Sequence, residues 1–185
     1  CLRLNGMFAF AIYDTVKCEL FLARDRFGVK PLFYSESDPF CFASEIKAIF
    51  EIEKFSREID LQSLSDYFSL WYIPAPKSIY KQIRKLMAGH CLLVSSDGTR
   101  KMWQYWKPNY NKKSLSSFNE LKEQFRFEMD KAVKRQLVGE VPIGLFLSGG
   151  LDSGTIGHFL SKNYGTQFHS FSIGFNSPSF DETNL

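Results

Sequence analysis

Ile143-Gly144-Leu145-Phe146-Leu147-Ser148-Gly149-Gly150-Leu151-Asp152-Ser153 decides how this 185-residue chain is read. Residues 143–147 are a short apolar run of the kind a buried strand carries. Residues 152–162 read as a helix that ends near Gly165, and residues 168–175 as another strand. Strand, helix and strand in so short a span predict a βαβ unit, and parallel strands joined in this way imply an α/β domain with both sheet faces covered. Ser148 to Leu151 then forms the strand-to-helix loop, and Asp152 and Ser153 open the helix. Gly149 and Gly150 permit a tight turn and let a ligand approach bare backbone. N–H groups at a helix start, with the helix dipole behind them, cradle phosphate, and the Ser148 and Ser153 hydroxyls can add hydrogen bonds. The carboxylate of Asp152 would repel bare phosphate, so it makes sense there only beside a neutralising Mg²⁺. The plainer alternative is a Gly-rich turn with Asp152 as a solvated first-turn acid; two hydroxyls and an acid within six residues, directly after a strand, weigh against it.

Several nucleotide motifs are excluded at this position. No lysine follows the glycines as a Walker A loop requires, Gly-x-Gly-x-x-Gly is missing, and so is Gly-x-Ser-x-Gly of a nucleophile elbow.

Upstream, Ser117 with Glu120 fits a capping box opening a helix whose Leu121, Phe125, Met129, Ala132, Val133 and Leu137 share one face, with Gly139 as its stop. Residues 108–116, rich in Asn, Lys and Ser, read as a linker. Before the linker the chain is mainly β: strands are expected at residues 7–13, 19–23, 31–34, 40–43, 90–94 and 101–106, with a short helix at 45–50. Asp60 caps a further helix carrying Leu61, Leu64, Tyr67, Phe68 and Trp71, stopped by Pro74-Ala75-Pro76. The expected organisation is thus a mainly β region at 1–107, a linker at 108–116 and the opening of an α/β domain at 117–185.

Composition narrows the classes. At 44% hydrophobic and 23% charged the chain is globular, and a net charge of +3, evenly spread, gives no ground for a nucleic-acid or membrane partner. No apolar run reaches the roughly 20 residues of a membrane span, and no signal peptide is readable. Cys1, Cys18, Cys41 and Cys91 lack CxxC spacing, so reduced thiols in a cytoplasmic protein are expected. Starting at Cys1 and stopping at Leu185 without a closing turn, the chain reads as a fragment.

The loop resembles the pyrophosphate loop (PP-loop) of ATP pyrophosphatases, which split ATP between its α- and β-phosphates. Residues 4–14, 23–32, 43–48, 72–79 and 141–147 resemble, in the same order, segments of glutamine-hydrolysing asparagine synthetases. That resemblance implies the end of an Ntn-hydrolase glutaminase domain (α+β, mainly β here) followed by the start of an α/β PP-loop domain of the adenine nucleotide alpha hydrolase-like kind. It further implies aspartate amidation with ATP and Mg²⁺ through β-aspartyl-AMP, nitrogen being supplied by glutamine, in a cytoplasmic enzyme with small-molecule partners and room for a homodimer. By position, Ser148, Gly149, Gly150, Asp152 and Ser153 would hold the pyrophosphate end, with Mg²⁺ reaching Asp152 through it. Phe146 and Ile173 match positions that line the nucleotide, at strand ends where open α/β sheets bind ligands. Gly154 and Met87-Ala88-Gly89-His90 depart from the family's usual second Ser and Pro-Pro-Gly-His.

Cys1 is not the family's nucleophile: that cysteine is followed by Gly, whereas Leu2-Arg3-Leu4 follows here. The nucleophile and glutamine-binding residues belong upstream and the aspartate-binding ones downstream, so no catalytic residue is expected among these 185 and the isolated chain should be inactive. A β-lactam-synthetase-like ligase and a non-catalytic nucleotide-binding module are the alternatives. Of the remaining candidates, Arg24, Asp25 and Arg26 either help shape the glutaminase side or, the commoner case, form a surface ion-pair cluster, and Glu45 and Lys47 read as helix-start electrostatics. Three histidines without ligand spacing read as structural, and Trp71, Tyr72, Trp103, Tyr105 and Trp106 as core or domain-contact residues.

Overall fold

Residues 1–111, 113–139, 141–164 and 168–176 are described by the computed structural model. The chain divides into two compact units, Cys1–Asn111 and Lys112–Leu185.

The first unit runs β1 (Ala9–Asp14), β2 (Glu19–Arg24), β3 (Phe33–Ser35), β4 (Phe42–Ala43), α1 (Ile46–Ile49), α2 (Leu61–Leu70), β5 (Ile83–Lys85), β6 (His90–Val94) and β7 (Arg100–Gln104). An antiparallel sheet has the order β1-β2-β6-β7, and a smaller one the order β4-β3-β5. Register explains how they pack. Leu20 lies opposite Val94 and Leu22 opposite Leu92, so these four apolar side chains fall on one face of the larger sheet. There Leu22, Leu92 and Val94 meet Leu32, Tyr34 and Leu86 in one cluster, which joins the two sheets through Tyr34 of β3. Alternation along β3 sends Phe33 the opposite way, to Ile49, Phe55 and Ile83. Leu22 and Leu86 are fully buried, and each such leucine contributes about 2 kcal/mol.

β5 was not foreseen, because Ile-Arg-Lys is too short and too charged to signal a strand by pattern alone. Helix α2 begins as expected: Asp60 Oδ1 accepts from the N–H of Gln62 (3.0 Å) and of Ser63 (3.4 Å). It ends before the prolines, at a left-handed Trp71 (φ 63°) whose N–H donates to Tyr67 O. The apolar stripe of α2 does not face the core; Leu61, Phe68 and Trp71 are exposed, as is Tyr72 beyond the helix, and Ser63 is the buried residue. The polar side is held inward instead by Asp66, which accepts from Lys77 Nζ at 2.8 Å.

The Arg24–Asp25–Arg26 expectation needs correcting, since these residues are not a surface ion-pair cluster. Asp25 is 1% exposed. Its Oδ1 accepts from the N–H groups of Phe27 (3.1 Å) and Val29 (3.0 Å), and its Oδ2 from that of Lys30 (3.0 Å). Arg24 donates from Nε to Lys30 O (2.8 Å), from Nη1 to Leu86 O (2.6 Å) and from Nη2 to Gly28 O (2.7 Å). Carboxylate and guanidinium thus clamp the loop 25–30 from its donor and acceptor sides. Main-chain bonds extend the clamp: Asp25 N–H donates to Phe8 O and Gly89 N–H to Asp25 O, both at 2.8 Å. Gly89 takes a φ of +68°, and a Cβ there would lie 2.4 Å from Trp106 O, so the close approach requires glycine. Glu45 and Lys47 do form an exposed pair at 2.8 Å.

The second unit contains α3 (Phe118–Gln136), β8 (Gly144–Phe146), α4 (Leu151–Tyr164) and β9 (His169–Phe171). Both halves of the capping box form: Glu120 N–H donates to Ser117 Oγ (3.4 Å), and Ser117 N–H to Glu120 Oε2 (2.7 Å). β8 and β9 pair in parallel, with Gly144, Leu145 and Phe146 opposite His169, Ser170 and Phe171, which gives the expected βαβ connection through α4. Val133, Phe159 and Leu160 form its core, with Met129, Leu137, Leu145 and Phe168 packed against them. Two expectations are corrected here. β8 is not buried, since Gly144 and Phe146 are exposed and Leu145 alone turns to the core. β9 stops at Phe171 instead of Phe175, because its partner has three residues before the loop begins. Leu137 caps α3. The helix stop at Gly165 lies outside the described residues.

Asp130 joins α3 to α4: it accepts from Lys134 Nζ (2.8 Å) and Asn163 Nδ2 (2.9 Å), with Lys162 Nζ at 3.4 Å. The Lys134 bond first, then that of Asn163, lowers its carboxyl from the ordinary 3.8 to about 2, against the opposing effect of desolvation.

Two outcomes are expected. Asp25→Ala leaves three backbone N–H groups without their acceptor and should destabilise the first unit by about 3 kcal/mol, read from the urea unfolding midpoint. A carboxyl whose pKa is lowered by folding adds stability above its ordinary pKa and loses it as the pH falls through the folded one. The Asp130 contribution should therefore fade between pH 3.8 and about 2, and Asp130→Asn should remove that acid-dependent part of the unfolding curve.

Candidate functional site

β8 ends at Phe146 and α4 begins at Leu151, so Leu147 to Gly150 make the turn from strand to helix. Gly149 adopts a φ of +76°, the left-handed conformation that a side chain would strain. Ser153, in the first turn of α4, organises the loop around its hydroxyl. Its Oγ lies 3.2 Å from Ser148 Oγ, donates to Gly150 O at 3.1 Å and accepts from Ser148 N–H at 3.3 Å. The first bond of the helix runs from Gly154 N–H to Gly150 O (3.0 Å). The N–H groups of Leu151, Asp152 and Ser153 precede any intrahelical acceptor, which makes them available to an anion.

The neighbouring strand fixes where this loop starts. Leu147 N–H donates to Phe171 O at 2.8 Å, and Ser172 Oγ donates to Leu147 O at 2.7 Å. Both polar groups of the residue before Ser148 are therefore held by the end of β9. Sequence reasoning missed Ser172; the sequence carries a second serine, Ser170, two positions before it, and nothing local distinguishes the one that reaches Leu147.

Ser148, Gly149, Gly150, Asp152 and Ser153 are thus brought into one loop and one helical turn. Asp152 is exposed, and among the described residues its carboxylate has no hydrogen-bond or ion-pair partner. Phe146 is exposed at the carboxyl end of β8, its ring 6.0 Å from that of Phe171, and Ile173 is exposed two residues beyond β9. The arrangement offers main-chain donors, two hydroxyls and a free carboxylate, with exposed apolar side chains where the strands end. That donor set suits a phosphate chain whose divalent cation meets the protein through one carboxylate, the usual mode for Mg²⁺. Among the described residues no group of three or more His, Cys, Asp or Glu could hold a metal by itself.

Cys1 belongs to the first unit, where its sulfur lies 3.7 Å from that of Cys91. Tyr105 donates from its hydroxyl to Arg24 O at 2.9 Å, Trp106 packs against Phe27, and Trp103 packs against Phe21. His90 Nδ1 lies 2.8 Å from Ala88 O, a local main-chain contact. No helix among the described residues is long and apolar enough to cross a membrane.

Comparison with known proteins finds two family matches along the chain. Residues 1–106 match the glutamine amidotransferase domain family and residues 124–185 the asparagine synthase family. Asparagine synthetase [glutamine-hydrolyzing] 3 of Bacillus subtilis is 41% identical over 180 residues, which cover 94% of this chain and 29% of that protein. The putative asparagine synthetase [glutamine-hydrolyzing] 2 of Methanocaldococcus jannaschii is 39% identical over 189 residues, covering 97% of this chain and 35% of that protein. The chain therefore spans about a third of the length of these relatives. Among solved structures, a glutamine phosphoribosylpyrophosphate amidotransferase from B. subtilis, complexed with ADP and GMP, is matched over 88% of this chain and 32% of that one. Its TM-score of 0.31 at 14% identity carries no argument. The amidotransferase match covers more than half of the chain and the asparagine synthase match follows it in order, so the chain belongs to the glutamine amidotransferase family, in the company of glutamine-hydrolysing asparagine synthetases.

Proposed function

We propose that these residues are a contiguous part of a cytoplasmic asparagine synthetase that takes its nitrogen from glutamine. In this reading residues 1–107 close an Ntn-type glutaminase domain, 108–116 are the linker, and 117–185 open the PP-loop synthetase domain. The observation that carries the reading is the loop at the end of a parallel strand, with Ser148 and Ser153 held together and the first-turn N–H groups of α4 available.

Ser148, Gly149, Gly150 and Ser153 bind the β- and γ-phosphates of ATP, and Asp152 faces the Mg²⁺ they carry. Phe146 and Ile173 line the nucleotide where the two strands end. Held by its pyrophosphate end, ATP presents the α-phosphorus to the aspartate β-carboxylate; β-aspartyl-AMP forms, and ammonia released from glutamine displaces AMP. The loop's share of this chemistry is electrostatic: fixed donors take up the charge that grows on the departing pyrophosphate, and they need no reorganisation as it grows. The nucleophilic cysteine and the aspartate site lie in the parts of the enzyme outside these residues.

The test is pyrophosphate release by the full-length protein supplied with MgATP, glutamine and aspartate. Release should match asparagine formed and should require aspartate; stimulation by a different carboxylate would reassign the substrate. Asp152→Asn should slow release by about 100-fold, and Ser153→Ala should raise the KM for ATP roughly tenfold. Residues 1–185 alone should form no asparagine.

A further inference from the structure

Cys1 and Cys91 are separated by 90 positions, yet their sulfurs lie 3.7 Å apart. Neither is placed there loosely. Cys91 belongs to β6, is 2% exposed, and pairs with Ala23 on one side and Trp103 on the other. The turn carrying Cys1 is closed by Leu4 N–H donating to Cys1 O at 3.0 Å. Arg26 anchors that turn by donating from Nη2 to Leu2 O at 3.0 Å, while its guanidinium lies 5.8 Å from the centre of the Trp106 ring. Both thiols line one open groove of about 330 Å³, together with Phe21, Trp103 and Tyr105, which admits a small solute. The other cysteines are engaged elsewhere: Cys18 Sγ contacts Thr15 O and Cys41 Sγ contacts Pro39 O.

We propose that Cys1 and Cys91 form an oxidisable thiol pair, a modification site separate from the phosphate loop, whose oxidant is a hydroperoxide. Disulfide sulfurs are about 2.05 Å apart, so closing the pair requires the half-buried Cys1 to bring its sulfur nearer by roughly 1.7 Å. Burial raises the Cys91 thiol and keeps it protonated, so the more accessible Cys1 reacts first. The Cys1 thiolate attacks one peroxide oxygen, the O–O bond breaks, and the other oxygen leaves as water or alcohol. Cys1 is then a sulfenic acid. Cys91 sulfur attacks Cys1 sulfur, the S–S bond forms, the S–O bond breaks, and the departing hydroxide takes the Cys91 proton as water. The two thiols have lost two electrons and the peroxide has gained them. The bond would fasten the turn at residues 1–4 to β6, next to the strand that carries Arg24.

The test treats purified protein containing residues 1–185 with hydrogen peroxide under native conditions, blocks free thiols by alkylation, digests the product and maps it by mass spectrometry. A peptide linking Cys1 to Cys91, lost on reduction, is the expected result. Cys91→Ser, or Cys91→Ala if the serine variant does not fold, should instead leave Cys1 as a sulfenic acid captured by a dimedone probe. Recovery of Cys1 and Cys91 only as separate alkylated peptides would overturn the proposal. So would oxidation of Cys1 to sulfinic acid without linkage, or a link from either residue to Cys18 or Cys41.

Discussion

A carboxylate removed from water must be met by donors, and in the first unit that requirement falls on Asp25. Burial acts most strongly on it and by itself would raise its pKa; the backbone N–H groups of Lys30, Val29, Phe27 and Phe8 outweigh that together and hold the carboxyl below its ordinary range. Because three of the donors, Phe27, Val29 and Lys30, belong to its own loop, satisfying the charge also fixes the backbone from 25 to 30. Arg24 then uses the carbonyls of that loop and of Leu86, so the loop is tied to the chain segment that follows β5. Leu86 N–H also donates to Leu32 O at 2.9 Å, and both leucines sit in the cluster that joins the sheets. The apolar core and the buried charge thus fix the same segment.

In the second unit the controlling constraint is geometric. A parallel pair needs a long crossover, and here the crossover is α4, whose first turn contains Ser153. Leu145 alone commits β8 to the core, and the residues on either side remain exposed. The loop is therefore placed less by burial than by polar contacts from β9, through Phe171 O and Ser172 Oγ. This leaves the Gly149–Gly150 backbone and the first-turn donors open to a ligand, which is what anion binding asks of such a loop.

The elements that sequence made legible were those with a local cause. The Asp60 cap, the Ser117–Glu120 box and the strand at His90–Val94 follow from side chains a few residues apart, and all three form as expected. The less legible features depend on partners distant in sequence. Asp25 between two arginines suggests surface ion pairing, whereas Arg24 reaches the carbonyl of Leu86 and Asp25 O accepts from the N–H of Gly89, both more than sixty positions away. The stripe of α2 points away from the first unit because Asp66 and Lys77 hold the polar side inward, a choice that helical spacing does not encode. For the loop between β8 and α4, the residue types were readable and the bonds among Ser148, Gly150 and Ser153 were not, since they require the turn to close first.

In the proposed mechanism, ATP held by its β- and γ-phosphates offers its α-phosphorus as the electrophile. This is tested most directly by tracing heavy oxygen placed in the β-carboxylate of aspartate during turnover by the full-length protein. Attack on the α-phosphorus, followed by displacement with ammonia, predicts that one labelled oxygen is transferred to the phosphate of AMP. Label found in inorganic phosphate, with ADP as the nucleotide product, would mean that the γ-phosphorus is attacked and would contradict the role assigned to Ser148, Gly149, Gly150 and Ser153.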